Sequence, residues 1–169
     1  MKYHYFICDV FTEQRFGGNQ LAVLPDAQKL SDRQMQQIAR EFNFSETAFV
    51  LPAEAGHTRK VRIFTPTTEI PFAGHPNIGT AFVLAETGAL GKEIPGTVLF
   101  EEKAGLVSIE IQVDPGAPTS FELKAPQVLT LQEFPAIGSV AKALSLRENE
   151  MAMLQRWHRW GSLFFLWKS

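Results

Sequence analysis

The chain has 169 residues, 45% of them hydrophobic and 20% charged, with a formal net charge of -2. That length supports one domain with a full core, and the weak charge excludes a general attraction to nucleic acid or to an anionic membrane. Cys8 is the single cysteine, which excludes an internal disulfide, a thiolate zinc cluster and catalysis by paired thiols.

Residues Tyr3 to Val10 alternate with apolar side chains on both faces, which predicts a strand lying inside a sheet. This opening is too short and too interrupted for a signal peptide, and no run of about 18 apolar residues exists to cross a bilayer, so the cytoplasm is the expected compartment. Phe11 to Gln20 reads as a loop ending in Gly17-Gly18-Asn19. The glycines let the backbone pass close to a neighbour, and Asn19 can aim its amide into a site; the same residues also suit a plain turn. A short strand, Leu21 to Leu24, stops at Pro25. Ser31-Asp32-Arg33-Gln34 has the form of a capping box, and Met35, Ile38, Ala39 and Phe42 fall on one face of the helix it opens. Glu46 stands where that helix gives way to a strand, Ala48 to Leu51. A carboxylate there is ordinarily solvated or capping. Its apolar neighbours Phe44, Phe49 and Val50 favour partial burial, which suits a carboxyl group that exchanges protons.

Arg59 to Phe64 predicts a half-exposed strand with Lys60 and Arg62 outward and Val61 and Ile63 inward. Pro71 to Gly88 then reads as a turn and a helix. Pro76 suits the first helical position and Gly88 the terminating one. Ile78, Ala81, Phe82, Val83, Leu84 and Ala85 leave almost no polar face, so this helix should be buried on most sides and needs a wall around it. Its N-terminus, with His75 beside it, is a natural seat for a carboxylate or phosphate; taken alone, the turn serves equally as a cap with a structural histidine. Three strands follow, Thr97 to Glu101, Leu106 to Val113 and Thr119 to Lys124, as an antiparallel meander. Ile137, Val140, Ala141 and Leu144 mark a last helix. The order of elements predicts an α+β fold with mostly antiparallel pairing.

Three motifs stand in an order that resembles the phenazine biosynthesis PhzF-like isomerase family, over about residues 3 to 150. They are Phe16-Gly17-Gly18-Asn19, Phe44-Ser45-Glu46-Thr47-Ala48-Phe49, and Phe64-Thr65-Pro66 running into Gly74-His75-Pro76. The resemblance implies the diaminopimelate epimerase fold: two similar lobes, each a curved, mostly antiparallel sheet around a central buried helix, with the site between them. Residues 1–150 match one such lobe, the N-terminal one. It further implies Glu46 as the catalytic general acid/base, with Asn19, Gly74, His75 and Pro76 on the substrate side. Neither metal nor organic cofactor is implied, and the substrate class is a small molecule bearing a carboxylate. The family's best-known reaction moves a proton and a double bond in a dihydro-hydroxyanthranilate. One glutamate can take and return that proton, whereas the related two-thiol racemisation needs a second cysteine.

Members of that family run to nearly twice this length, and their second lobe supplies an aspartate-containing, glycine-rich motif. Residues 151–169 hold all three tryptophans among basic and apolar residues, a composition that also fits a membrane-interface anchor. Tryptophan has one codon, so the adjacent frame is tightly constrained, and it can encode a Gly-Leu-Pro-Phe strand like the one that begins the family's second lobe. The expectation is a truncated family member whose last 15 or so residues are out of frame. Two functional readings follow. One is a cofactor-independent isomerase completed by a second lobe from elsewhere, such as a partner chain. The other is a catalytically silent half-protein that self-associates as a homo-oligomer through an exposed apolar face.

Overall fold

The computed structural model describes residues 2–113, 119–126 and 136–149. Met1–Gln127 form one compact unit, and the chain there runs β1 (Phe6–Val10), β2 (Asn19–Leu24), α1 (Asp32–Phe42), β3 (Glu46–Leu51), β4 (Arg59–Phe64), β5 (Glu69–Ile70), α2 (Gly74–Glu86), β6 (Thr97–Glu102), β7 (Gly105–Gln112) and β8 (Ser120–Lys124). Val128–Ser169 form a second unit, whose described helix is α3 (Ile137–Ala143). The tail expected to be out of frame, residues 151–169, lies outside the described residues.

The strands pair in the order β1-β2-β3-β4-β6-β7-β8, with β5 also on β4. Five pairings are antiparallel, and β2 with β3 and β4 with β6 run parallel. The chain is thus α+β, a mixed sheet with helices, and α2 explains its shape. That helix packs on β1, β2 and β3 and also on β7 and β8, so the sheet curls around it. Its residues Ala81, Val83 and Leu84 meet an inner face that includes Val23, Val50 and Ile109, all buried. Gly79 makes the approach close: a Cβ there would lie 2.6 Å from Leu21 Cδ2 and 2.8 Å from Val10 Cγ2.

The termini of α2 refine the sequence reading. Ala73, in extended backbone, is the N-cap, so Gly74, His75 and Pro76 are the first three helical residues and Pro76 is the third rather than the first. Any of these positions suits proline, because none of their N–H groups has a partner within the helix. Gly88 does end the helix, at φ 71, with Ala89 N donating to Leu84 O at 2.9 Å and Gly88 N to Ala85 O at 3.1 Å.

β1 departs from expectation. Among the described residues it pairs only with β2 and stands at the sheet edge, with Phe6 and Ile7, and Tyr5 just before it, exposed. Apolar residues on both faces signalled contact on both faces, but not a strand on both sides. The glycine loop behaves as read: a Cβ on Gly18 would lie 2.4 Å from the Val10 carbonyl oxygen.

The outer face is covered by α1. Its capping box forms, with Ser31 N donating to Gln34 Oε1 at 2.9 Å and Gln34 N to Ser31 Oγ at 3.4 Å. Met35 and Ala39 pack beside Phe49 and Phe64, whose rings meet edge-on at 5.3 Å. Nearby, Arg62 grips Glu69 with two hydrogen bonds of 2.8 Å and Asp32 with one of 2.6 Å, while Lys103 Nζ reaches Glu69 Oε2 at 2.5 Å. This ties β5 to β4 and α1, fixing the segment that leads into α2.

Candidate active site

Glu46 is placed by the end of α1. Asn43 closes that helix in the left-handed conformation, at φ 55, and Phe44 stacks on Phe42 at 6.0 Å, so β3 starts at Glu46. Parallel pairing sets Glu46 level with Leu21 on β2. By alternation Asn19, Leu21 and Val23 share one face of β2, and Glu46, Ala48 and Val50 one face of β3. Both sets look toward α2, since Leu21, Val23, Ala48 and Val50 belong to the core around it. Ser45 Oγ donates to Asn19 Oδ1 at 3.4 Å, linking the two strand starts.

The first turn of α2 arrives at the same place. His75 Nε2 stands 3.4 Å from Glu46 Oε2, with the side chains 9% and 19% exposed. Neither atom has a hydrogen-bond partner among the described residues. Burial lowers the His75 pKa, against the opposing pull of the Glu46 carboxyl and of a hydrogen bond to the Gln20 backbone. The imidazole is therefore neutral at pH 7. Ala73 offers no side-chain cap, so the N–H groups of Ala73, Gly74 and His75 have no partner within the helix. Pro76 is buried in this turn, whereas Gly74 borders open space, with nothing within 4 Å of a Cβ built on it. A carboxyl group, a neutral imidazole and a helix N-terminus thus converge, an arrangement able to move a proton beside a bound anion.

The five residues singled out in the sequence divide accordingly. Glu46 and His75 meet directly, Gly74 opens the helical turn that carries His75, Pro76 is buried within that turn, and Asn19 flanks Glu46 through Ser45. Cys8 lies against the apolar core, and burial, reinforced by Asp9, pushes its thiol up to about 11, so it stays a thiol at neutral pH. Among the described residues no three His, Cys, Asp or Glu side chains are grouped to hold a metal ion. Sequence reading missed Gln20, which acts through its backbone and leaves no side-chain signal, and Glu102. The latter is a buried carboxyl group at the end of β6, facing Asn77 of α2. Its only mark in the sequence is an in-out alternation that puts it on the Val98 and Phe100 face.

Comparison with known proteins places this arrangement in context. A family model described as phenazine biosynthesis-like protein matches residues 8–159. An uncharacterized isomerase of Pasteurella multocida is 53% identical over 108 residues, covering 63% of this chain and 36% of that protein. A trans-2,3-dihydro-3-hydroxyanthranilate isomerase of Pseudomonas chlororaphis is 41% identical over 151 residues, 87% of this chain and 51% of its own. The crystal structure of a Bacillus anthracis phenazine biosynthesis protein of the PhzF family superposes with a TM-score of 0.73 at 32% identity, over 88% of this chain and 49% of that one. The chain spans about half the length, or less, of these relatives.

Proposed function

The chain belongs to the PhzF-like isomerase family, the phenazine biosynthesis-like proteins, and from that premise we propose that it is a proton-transfer isomerase whose site is built on Glu46 and completed by association with a second copy of the chain. Glu46 is the acid/base. It removes a proton from one carbon of a small carboxylate-bearing substrate and returns it to another, so the double bond moves and no net redox change occurs. The substrate carboxylate sits on the uncapped N–H groups at the start of α2, where the helix dipole favours negative charge. His75, neutral, orients the substrate beside Glu46, and Asn19 flanks it.

The observation that carries this reading is the Glu46–His75 approach of 3.4 Å at the mouth of a helix with no side-chain cap. Both side chains are mostly buried yet retain unpartnered polar atoms, as a group awaiting a substrate would. The similarity to hydroxyanthranilate isomerases supports the substrate class. The test is deuterium uptake from D2O into trans-2,3-dihydro-3-hydroxyanthranilate by the 169-residue chain, beside Glu46→Gln. The expected result is uptake that falls at least about 100-fold in the variant. Equal uptake by both, or none by the wild-type chain, would contradict the proposal.

A further inference from the structure

The strand order ends at β1 and at β8, and the two edges are finished differently. β8 exposes Glu122 and Lys124, while Phe121 and Leu123 pack against the core around α2. Charges of that kind keep an edge from pairing with another strand. β1 has no such guard, since Phe6–Val10 contain no lysine, arginine or proline. Its one charge, Asp9, is engaged locally, with Oδ2 accepting from Phe16 N at 2.8 Å. On the side away from β2, the backbone of β1 has no strand beside it among the described residues.

The apolar surface at this edge extends past the strand itself. Tyr5, Phe6 and Ile7 are exposed along it, and the loop that follows adds Phe11 and Phe16, 75% and 89% exposed. Both phenylalanines stand at φ 64, a left-handed backbone that residues with a Cβ rarely adopt. The loop is held by the Asp9–Phe16 bond, by Gly17 N donating to Gln14 O at 3.2 Å and by Gln14 N donating to Thr12 Oγ1 at 3.0 Å. It therefore presents two aromatic rings to water in a defined geometry. At roughly 200 Å² per large side chain, these five residues leave about 600 Å² of mostly apolar surface exposed, near the upper end for a monomer. With the backbone edge added, this approaches the roughly 800 Å² that each partner buries in a stable interface.

We propose that β1 is the docking edge for a second copy of this chain, the two β1 strands pairing antiparallel about a two-fold axis at Ile7. The occupant follows from what the edge needs, a strand with apolar residues on both faces whose one charge is already engaged. β1 is itself such a strand, and a two-fold contact is self-complementary, so each copy supplies what the other lacks. An axis at Ile7, midway between Tyr5 and Asp9, sets the two Ile7 side chains together. It places each Asp9 level with Tyr5 of the other copy, which keeps the like charges apart. Val10 is level with Asn19, at the start of β2, so this edge ends beside the Glu46 site. That the contact completes the site rests on the isomerase reading; the docking edge does not.

The test is sedimentation equilibrium of the full chain across a concentration series, beside Ile7→Lys, which sets two like charges together on the axis, and Glu122→Lys at the other edge as a control. Wild-type protein and Glu122→Lys should follow a monomer–dimer equilibrium, and in Ile7→Lys the dimer should be weakened at least about 10-fold. Hydrogen exchange on wild-type protein gives a second reading that survives any misfolding of the variant: the amides of Phe6–Val10 that point away from β2 should gain protection as concentration rises. Wild-type protein that stays monomeric, a dimer that Ile7→Lys leaves intact, or an equal loss in Glu122→Lys overturns the inference. So does protection of those amides that is the same at every concentration, which would put another segment of the same chain on the edge. A dimer broken by Ile7→Lys, with no deuterium uptake by the wild-type chain, would sink the isomerase reading alone. Glu46-dependent uptake by a chain that Ile7→Lys leaves dimeric would sink this inference alone.

Discussion

The two ends of α2 are finished by opposite means. At the C-terminus Thr87 Oγ1 donates to Val83 O at 2.7 Å, Gly88 N to Ala85 O and Ala89 N to Leu84 O, so the last carbonyls are occupied by the chain itself. At the N-terminus Ala73 provides no side-chain cap, and unpartnered buried atoms of Glu46, His75, Asn77 and Glu102 gather around the first turn. Satisfied backbone and packed apolar surface raise stability; unpartnered buried polar atoms lower it. The difference shows where the fold is held and where it is left open to chemistry.

If the closed end holds the fold, removing its packing should do the most damage. Leu84 is fully buried, and Leu84→Ala should destabilise the protein by about 3 kcal/mol in urea unfolding, through lost burial and the cavity left behind. A change below about 1 kcal/mol would break the contrast.

The open end should instead appear in the pH dependence. Glu102 rises from 4.5 to about 7 on folding, so the folded state holds the proton more tightly than the unfolded one. Its contribution is therefore complete below pH 4.5 and is lost as pH rises to about 7. A rise of about 2.5 units sets an upper limit of about 3 kcal/mol for that loss. Urea midpoints at about pH 4.5 and 8 should show the fall in wild-type protein, and Glu102→Gln should remove that component of it.

A smaller effect isolates the terminating residue. Gly88 has φ 71, and nothing lies within 4 Å of a Cβ built there. Gly88→Ala should cost about 1 kcal/mol from the left-handed conformation alone, without steric damage. Thermal unfolding of the variant with its His75 NMR signals unchanged would confirm that the two ends act separately.

What the sequence disclosed follows the range of the interactions involved. The Ser31–Gln34 box, the Gly88 terminus and the apolar run of α2 are encoded within a few residues, and they were readable. So was the candidate pair, because Glu46 and His75 each lie in a motif whose order matches the family. The parallel pairings β2 with β3 and β4 with β6 were not readable, since each joins strands across an intervening element. Neither was the edge position of β1, whose two apolar faces report contact without naming the neighbour. Glu102 was not readable: the strand expected there stops at Glu101, and only in the folded β6, which runs to Glu102, does alternation send Glu101 to the loop amides and Glu102 toward the core.

The contrast between the ends of α2 is tested most directly by amide NMR of the uniformly labelled chain, titrated with anthranilate as a carboxylate-bearing probe. The predicted result is saturable shifts at Gly74 and His75, with Gly88 and Ala89 unmoved. Unmoved Gly74 and His75, or equal shifts at both ends, would contradict it.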